Sequence, residues 1–226
     1  MSISLKRAFD IVASGAALVV LAPALACLVL SIRVDSRGPA FYHQRRIGLH
    51  GRIFTIWKFR SMYNGSSQSP HHQASTDWFE RRLNGQRYKS AADPRVTRVG
   101  RFLRRTSLDE LPQLWNVLVG DMSLVGPRPV MEYERERFEP WHFEREAVRP
   151  GITGLWQVSG RDRLSAPEML ALDVHYARQR SMWFDLKILA RTVPAVLGEL
   201  TQTPATRLAA AASPAADVVS RPTTPR

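Results

Sequence analysis

Asp109 and Glu110 are adjacent carboxylates inside the run Arg104-Arg105-Thr106-Ser107-Leu108-Asp109-Glu110-Leu111-Pro112. Neighbouring carboxylates repel, and the two arginines just upstream offset that repulsion. Pro112 fits the first turn of a helix, so both acids fall near a helix N-terminus. There the backbone dipole lowers a carboxylate's pKa and draws in phosphate. An ionised Asp109 in such a place suits nucleophilic attack at phosphorus. With Glu110 beside it, the pair suits Mg²⁺, whose usual shell is one or two carboxylates completed by substrate phosphates. The same residues have a plainer reading. Ser107-Leu108-Asp109-Glu110 has the S-x-x-E form of a helix capping box, which calls for no ligand.

Two further stretches hold candidate groups. In Gly126-Pro127-Arg128-Pro129 the prolines fix the backbone on both sides of one arginine, so its guanidinium is aimed at less entropic cost on binding; the plainer alternative is a rigid turn with an exposed Arg. Residues 149–161, RPGITGLWQVSGR, carry glycines that permit close backbone approach to a ligand. The P-loop, the dinucleotide-binding glycine pattern, the H-E-x-x-H zinc motif and the G-x-S-x-G nucleophile elbow are all missing from the sequence. His71 and His72 read as a solvated loop pair, since no third metal ligand lies near them.

The elements that must position these groups begin with Ile11 to Ile32, 22 residues without a charge. That length meets the need of about 20 apolar residues for a membrane-embedded helix. A cleaved signal peptide fits poorly, because the run is too long and Asp10 abuts it. Basic residues flank it on both sides, with Lys6 and Arg7 before it and Arg33, Arg37, Arg45 and Arg46 after it. Both flanks are therefore expected in the cytoplasm. Pro23, just past the middle, is the expected break that turns the helix into a re-entrant hairpin rather than a span. Cys27 reads as a small apolar filler.

Residues 38–62 alternate like a β-hairpin that opens with Phe41, turns at Gly48-Leu49-His50-Gly51 and returns through Arg52 to Met62. Lys58 and Arg60 share a parity and are expected on one face. Residues 64–92 read as a polar loop with one short helix. Residues 95–105 read as a basic amphipathic helix, with Val96, Val99, Phe102 and Leu103 on one side and five arginines around it, suited to a membrane surface or an anion. Residues 108–126 read as an apolar helix and turn. Residues 131–146 carry six Glu on a solvent-facing helix, and residues 166–199 read as helical through Met169, Leu172, Leu186, Leu189 and Val193. From Thr201 the Pro/Ala/Thr-rich tail is expected to be disordered.

The chain has 226 residues and a formal net charge of +12, enough length to bury a real core. Hydrophobic residues make up 44%, which argues against global disorder. One Cys excludes an internal disulfide, and no Cys/His spacing resembles a zinc site. Of the 32 basic residues only 4 are Lys. Arg forks suit lipid headgroups and nucleotide diphosphates equally, and nucleic acid would give the same charge balance.

Taken together, these blocks resemble the bacterial sugar transferase family, the monotopic polyprenol-phosphate phosphoglycosyl transferases. The resemblance rests on KRAFD, GPAFYHQRRIGLHGRIFTIWKFRSM, DPRVTRVGRFLRRTSLDELPQLWNVLVGDMSLVGPRP, RPGITGLWQVSGR and FDLKILARTV, in this order across roughly residues 6–197. It implies transfer of a sugar-1-phosphate from a UDP-sugar to undecaprenyl phosphate with release of UMP, at the start of exopolysaccharide, capsule or O-antigen assembly. It implies Asp109 as covalent nucleophile, with Glu110 as its acidic partner sharing Mg²⁺. Lys58, Arg104 and Arg161 are implied at the phosphates and Arg128 at the nucleotide. The family's membrane helix is re-entrant and broken at a Ser-Pro pair, which here is Ala22-Pro23. Its large members carry extra N-terminal spans, whereas this chain starts at the catalytic unit.

The expected fold is therefore α+β and mainly helical: a small catalytic domain with a β-hairpin, anchored by one re-entrant membrane helix and interfacial amphipathic helices. The expected division is a membrane anchor over 1–37, a catalytic domain over 38–200 and a tail over 201–226, placed on the cytoplasmic face of the bacterial inner membrane. Inner-membrane lipids are expected partners, nucleic acid is not, and a homodimer is permitted. The sugar is expected to be a neutral hexose, glucose or galactose. The rival reading is a non-enzymatic, membrane-tethered basic protein that binds acidic lipid or nucleic acid. It accounts for the charge and the anchor but gives no reason for Asp109-Glu110 inside so basic a stretch.

Overall fold

In the computed structural model the described residues are 3–66, 93–160 and 164–201. Helix α1 (Ile3–Asp35) comes first and contains Pro23. It is one helix by its hydrogen bonds, so the break expected at Pro23 does not interrupt the element. A proline removes one backbone bond, and the turns on either side carry the helix across the gap. At 33 residues its contour is about 50 Å, well over a hydrocarbon core of ~30 Å. It is the only helix among the described residues long and apolar enough to cross a membrane. Val12, Val19, Val20, Leu30 and Val34 along it are exposed.

Both ends of α1 are fastened to the same body. Near the start, Arg7 donates to the Val117 and Leu118 carbonyls, while Lys6 bridges Asp10 at 3.2 Å and Asp185 at 2.7 Å. Asp10 Oδ1 also accepts from the Leu124 amide. Near the end, Ile32 is buried with Ala40, Phe59 and Leu103, and Asp35 accepts from the Val99 amide at 2.9 Å.

Strands β1 (Phe41–Ile47) and β2 (Ile53–Phe59) pair antiparallel, Phe41 opposite Phe59 and Ile47 opposite Ile53. The turn between them runs where the sequence places it, with His50 and Gly51 at positive φ. Lys58 and Arg60 do share a parity, but Arg60 lies beyond the strand. Its guanidinium donates to the carbonyls of Ile32, Ser36 and Arg37. These acceptors sit at and just past the end of α1, where a helix leaves carbonyls unpaired and favours a cation.

Helix α2 (Arg98–Thr106) is capped by Thr97, whose side chain accepts from the Gly100 amide. Gly100 packs so tightly on Ser61 that a Cβ there would sit 2.0 Å from its carbonyl oxygen. Leu103 is fully buried and Val99 packs beside it, a burial of roughly 1.5–3 kcal/mol for the leucine. Phe102 is instead 54% exposed. It was expected on the apolar side, but at 100° per residue the narrow contact with α1 and β2 admits Val99 and Leu103 and leaves Phe102 on the flank among the arginines.

Helix α3 (Gln113–Val119) leads into β3 (Ser123–Val125). Helix α4 (Glu132–Arg135) is only one turn long, and a 3₁₀ segment over Pro140–Ala147 follows it. The single solvent-facing helix expected over 131–146 is therefore absent. Pro140 cannot continue a helix, and Glu134 and Glu146 are buried by arginine partners. Strand β4 (Gly151–Thr153) pairs parallel to β3. The last described elements are α5 (Leu155–Ser159), α6 (Ala166–Gln179) and α7 (Met182–Thr201).

Helices α6 and α7 are two elements that meet at Arg180 and Ser181. Met169 is buried as expected, while Leu186 and Val193 are exposed and Ile188 is the buried aliphatic residue of α7. The largest core cluster joins Val125, Val148, Leu155, Tyr176 and Ile188, packing β3 and α5 against the last two helices. The expected short helix within 64–92, His71, His72 and the tail from 202 onward lie outside the described residues.

Candidate active site

The acid pair sits in a 3₁₀ turn, Leu108–Glu110, between α2 and α3. The capping box does not form. Ser107 has φ 57, in the left-handed region, and makes no side-chain cap. It is already the C-cap of α2, its amide donating to the Leu103 carbonyl. The residue that ends one helix is thus not free to start the next. The plain structural account of the S-x-x-E letters falls with it.

Asp109 is 7% exposed, while Glu110 is more open. Lys58 Nζ reaches Glu110 Oε1 at 2.9 Å, and both side chains are 22% exposed. Strand β2 therefore delivers its lysine to Glu110 of the acid pair. Tyr42 lies opposite Lys58 on β1 and is 36% exposed; the partial burial of its ring pushes its phenol above the usual range, against the pull of Arg46. It stays a protonated donor beside the lysine.

Arg104 lies in the last turn of α2, three residues before the turn that carries the acids. Its Nη1 is buried without a hydrogen-bond partner among the described residues. A buried guanidinium nitrogen left this way is costly, and an incoming phosphate oxygen would satisfy it. Arg104 also helps hold the Asp93 carboxyl below its ordinary range, although the larger cause there is the hydrogen bond from Arg95.

Arg128 is fixed by a different set of contacts. Its Nη1 lies 3.3 and 3.4 Å from the two oxygens of Glu134, and its carbonyl accepts from Arg145, which is paired in turn with Asp173 at 2.6 Å. Glu134 is fully buried and accepts from the Met131 amide at 2.8 Å, with Arg46 at 3.9 Å. Glu134, Arg145 and Asp173 were not singled out in the sequence. The signal for Glu134 was the short M-E-Y-E run bounded by Pro129 and Pro140, which fits a one-turn helix better than a long one. Arg145 and Asp173 carried no local signal. Arg161 lies outside the described residues.

Gly151 and Gly154 of the 149–161 block, with Gly126, pack against the chain's own backbone. A Cβ on Gly126 would sit 2.3 Å from the Arg149 carbonyl oxygen, and one on Gly151 would sit 2.1 Å from the Gly126 nitrogen. These positions let β3 and β4 pass within backbone contact. They hold the Pro-Arg-Pro turn in place through the Gly151 amide, which donates to the Pro127 carbonyl at 2.8 Å.

Among the described residues no group of three or more His, Cys, Asp or Glu side chains converges as a metal site. Asp109 and Glu110 supply two carboxylates. That set fits a Mg²⁺ ion completed by water and substrate phosphates, and would not make a closed protein cage.

Comparison with known proteins places these features in a family context. The family described as "Bacterial sugar transferase" matches residues 1–199. The chain is 44% identical over 196 residues to the "UDP-galactose-lipid carrier transferase" of Erwinia amylovora, covering 85% of this chain and 40% of that protein. It is 43% identical over 201 residues to the "Undecaprenyl-phosphate glucose phosphotransferase" of Komagataeibacter xylinus, covering 83% and 35%. It is 40% identical over 198 residues to the "Exopolysaccharide production protein ExoY" of Rhizobium meliloti, covering 84% of each. The chain thus spans about two fifths of the length of the first of these and most of the last. With an acid pair and a lysine brought together on a chain that opens with one long apolar helix, and with a family match that runs over nearly all the described residues, the chain belongs to the bacterial sugar transferase family.

Proposed function

We propose that the protein transfers a hexose-1-phosphate from a UDP-hexose, UDP-glucose or UDP-galactose, to undecaprenyl phosphate, as an early step of exopolysaccharide, capsule or O-antigen synthesis. The observation that carries this reading is the sheltered Asp109 next to a more open Glu110 that is held by Lys58 at 2.9 Å. A general lipid- or nucleic-acid-binding surface has no use for two carboxylates at the centre of its positive charge. The names of the relatives, which act with galactose or glucose on a lipid carrier, support the substrate class.

In this mechanism an Asp109 carboxylate oxygen attacks the phosphorus bonded to the sugar. The bond from that phosphorus to the bridging oxygen breaks, UMP leaves, and a sugar-phosphoryl aspartate remains. A phosphate oxygen of the polyprenyl phosphate then attacks the same phosphorus and returns Asp109 to its carboxylate, giving polyprenyl diphosphate sugar. Lys58 and Arg104 hold phosphate oxygens in place, and Arg128, braced by Glu134, contacts the nucleotide. Mg²⁺, held by Asp109 and Glu110, would supply charge neutralisation at the diphosphate. Burial of Asp109 keeps water from competing with the lipid acceptor.

The two substrates come from different phases, and α1 supports a meeting point between them. Both of its ends are bound to one body, so a helix whose exposed apolar middle enters a bilayer leaves by the face it entered. This favours a re-entrant anchor with the body on the cytoplasmic face of the inner membrane. Exposed Phe102, Trp115 and Trp183 suit the interface.

The test is UMP release from UDP-glucose and UDP-galactose, with and without polyprenyl phosphate, in the presence of Mg²⁺. Turnover that requires both substrates is expected. Membrane and lipid binding with no UMP release from any UDP-sugar would favour the non-enzymatic reading.

A further inference from the structure

Asn116 lies on α3, six positions after Glu110, and is 1% exposed. Its side-chain amide is spent on β2. Oδ1 accepts from the Trp57 amide at 3.0 Å, and Nδ2 donates to the Thr55 carbonyl at 2.7 Å. Asp121 Oδ2 stands 3.4 Å from the same nitrogen. The Asn116 backbone carbonyl also accepts from the Gly120 and Met122 amides, at 3.1 Å each, so the residue closes the end of α3 as well.

The placement on β2 is specific. Among the described residues the sheet has two strands, so one edge of β2 pairs with β1 and the other has no described strand beside it. Backbone groups alternate between the two edges along a strand. Thr55 and Trp57 therefore share the unpaired edge, and one residue of a third strand would offer them one donor and one acceptor. Asn116 offers the same pair from a side chain. It stands in for a strand at the position immediately before Lys58.

We infer that Asn116 is the positioning residue that sets Lys58 against Glu110. The helix that follows the acid pair and the strand that carries the lysine share the buried Ile56–Val117 cluster, and this amide adds the directional tie that fixes their register; it lies beside neither reacting atom. If the tie is lost, β2 can slide relative to α3 and the Lys58–Glu110 contact is no longer held. The inference rests on the proposed role of Lys58 and Glu110 at the substrate phosphates, so its test needs one readout that does not depend on turnover.

That readout is hydrogen exchange at the Trp57 amide, compared between the wild-type protein and Asn116→Ala. Exchange faster by about tenfold or more is expected in the variant, because the acceptor is gone. An unchanged rate overturns the clamp whether or not the protein is active. The kinetic readout is a double-mutant cycle with Lys58→Ala. Alone, Asn116→Ala should lower kcat by about tenfold or more and leave KM for the UDP-sugar within about twofold. Added to Lys58→Ala, it should cost less than about twofold further. An equal loss in both backgrounds overturns the inference and makes Asn116 a general structural residue. Should Asn116→Ala not fold, Asn116→Asp keeps the acceptor for Trp57 and removes the donor to Thr55. It should show the same dependence on Lys58, and independence from Lys58 counts against the inference. A wild-type protein that releases no UMP sinks the proposed function while the Trp57 exchange still decides the clamp.

Discussion

Two clusters of acids and bases in this molecule are built from the same residue types and serve opposite ends. The first is Asp109, Glu110, Lys58 and Arg104; the second is Glu134, Arg46, Arg145 and Asp173, which brace Arg128. In the first, the Lys58–Glu110 pair keeps 22% of each side chain exposed. In the second, Glu134, Arg145 and Asp173 are buried, with charge-assisted hydrogen bonds between them and the backbone. The contrast teaches that sealing makes a charge structural. A sealed ion pair fixes geometry, here the Pro-Arg-Pro turn, whereas a pair left partly open keeps groups that a phosphate can recruit.

Substitutions should separate the two. Asp109→Asn keeps the size of the side chain and removes the anionic oxygen. It should reduce turnover by at least about a thousandfold, while thermal or urea unfolding shifts by no more than about 1 kcal/mol. Large destabilisation with activity retained would move Asp109 into the sealed class. Glu134→Ala should do the reverse and act on stability first. It strands two arginines against each other and leaves the Met131 amide unpaired, at a cost of about 3–5 kcal/mol in urea unfolding. Loss below about 1 kcal/mol would show that water reaches this cluster and that the contrast is false.

The smallest expected effect comes from pH. His142 lies in the 3₁₀ segment beside Arg145, and its Nδ1 accepts from the Glu139 amide at 2.8 Å. Burial lowers its pKa below the ordinary 6.5, opposed by Glu139 and assisted by Arg145. The folded state thus favours neutral His142, so its contribution is intact above pH ~6.5 and is lost as the pH falls through the folded-state value. Wild-type stability should decline by up to about 1 kcal/mol more than that of His142→Asn between pH 7 and pH 5. Parallel pH profiles for the two proteins would contradict this.

The elements that could be read from the sequence were those whose cause is local. The hairpin turn at Gly48-Leu49-His50-Gly51 follows from residues suited to positive φ, two of which adopt it. The long apolar helix follows from composition alone. The acid pair was visible because two carboxylates among arginines are electrostatically unusual wherever the chain takes them.

What escaped depended on residues far apart. Glu134 is buried because Arg46, from β1, and Arg128 meet it from two directions, and no window of sequence contains all three. The capping box misled because its Ser107 was already engaged by the helix before it. Gly151 and Gly154 read as glycines that permit close approach, with no sign in the sequence that Gly126 meets them. Their real neighbours are one another's backbones, a relation set by the parallel pairing of β3 and β4 across 25 or more residues of chain.

The central claim, that Asp109 is a covalent nucleophile, is tested most directly by leaving out the lipid acceptor. The protein is mixed with UDP-glucose or UDP-galactose and Mg²⁺ in the absence of polyprenyl phosphate, quenched, and examined for released UMP and for mass added to the peptide that contains Asp109. A stoichiometric burst of UMP with a hexose-phosphate adduct on Asp109, absent in Asp109→Asn, is the predicted result. No UMP and no adduct until the lipid is added, in a preparation that turns over normally with both substrates, would contradict the covalent route.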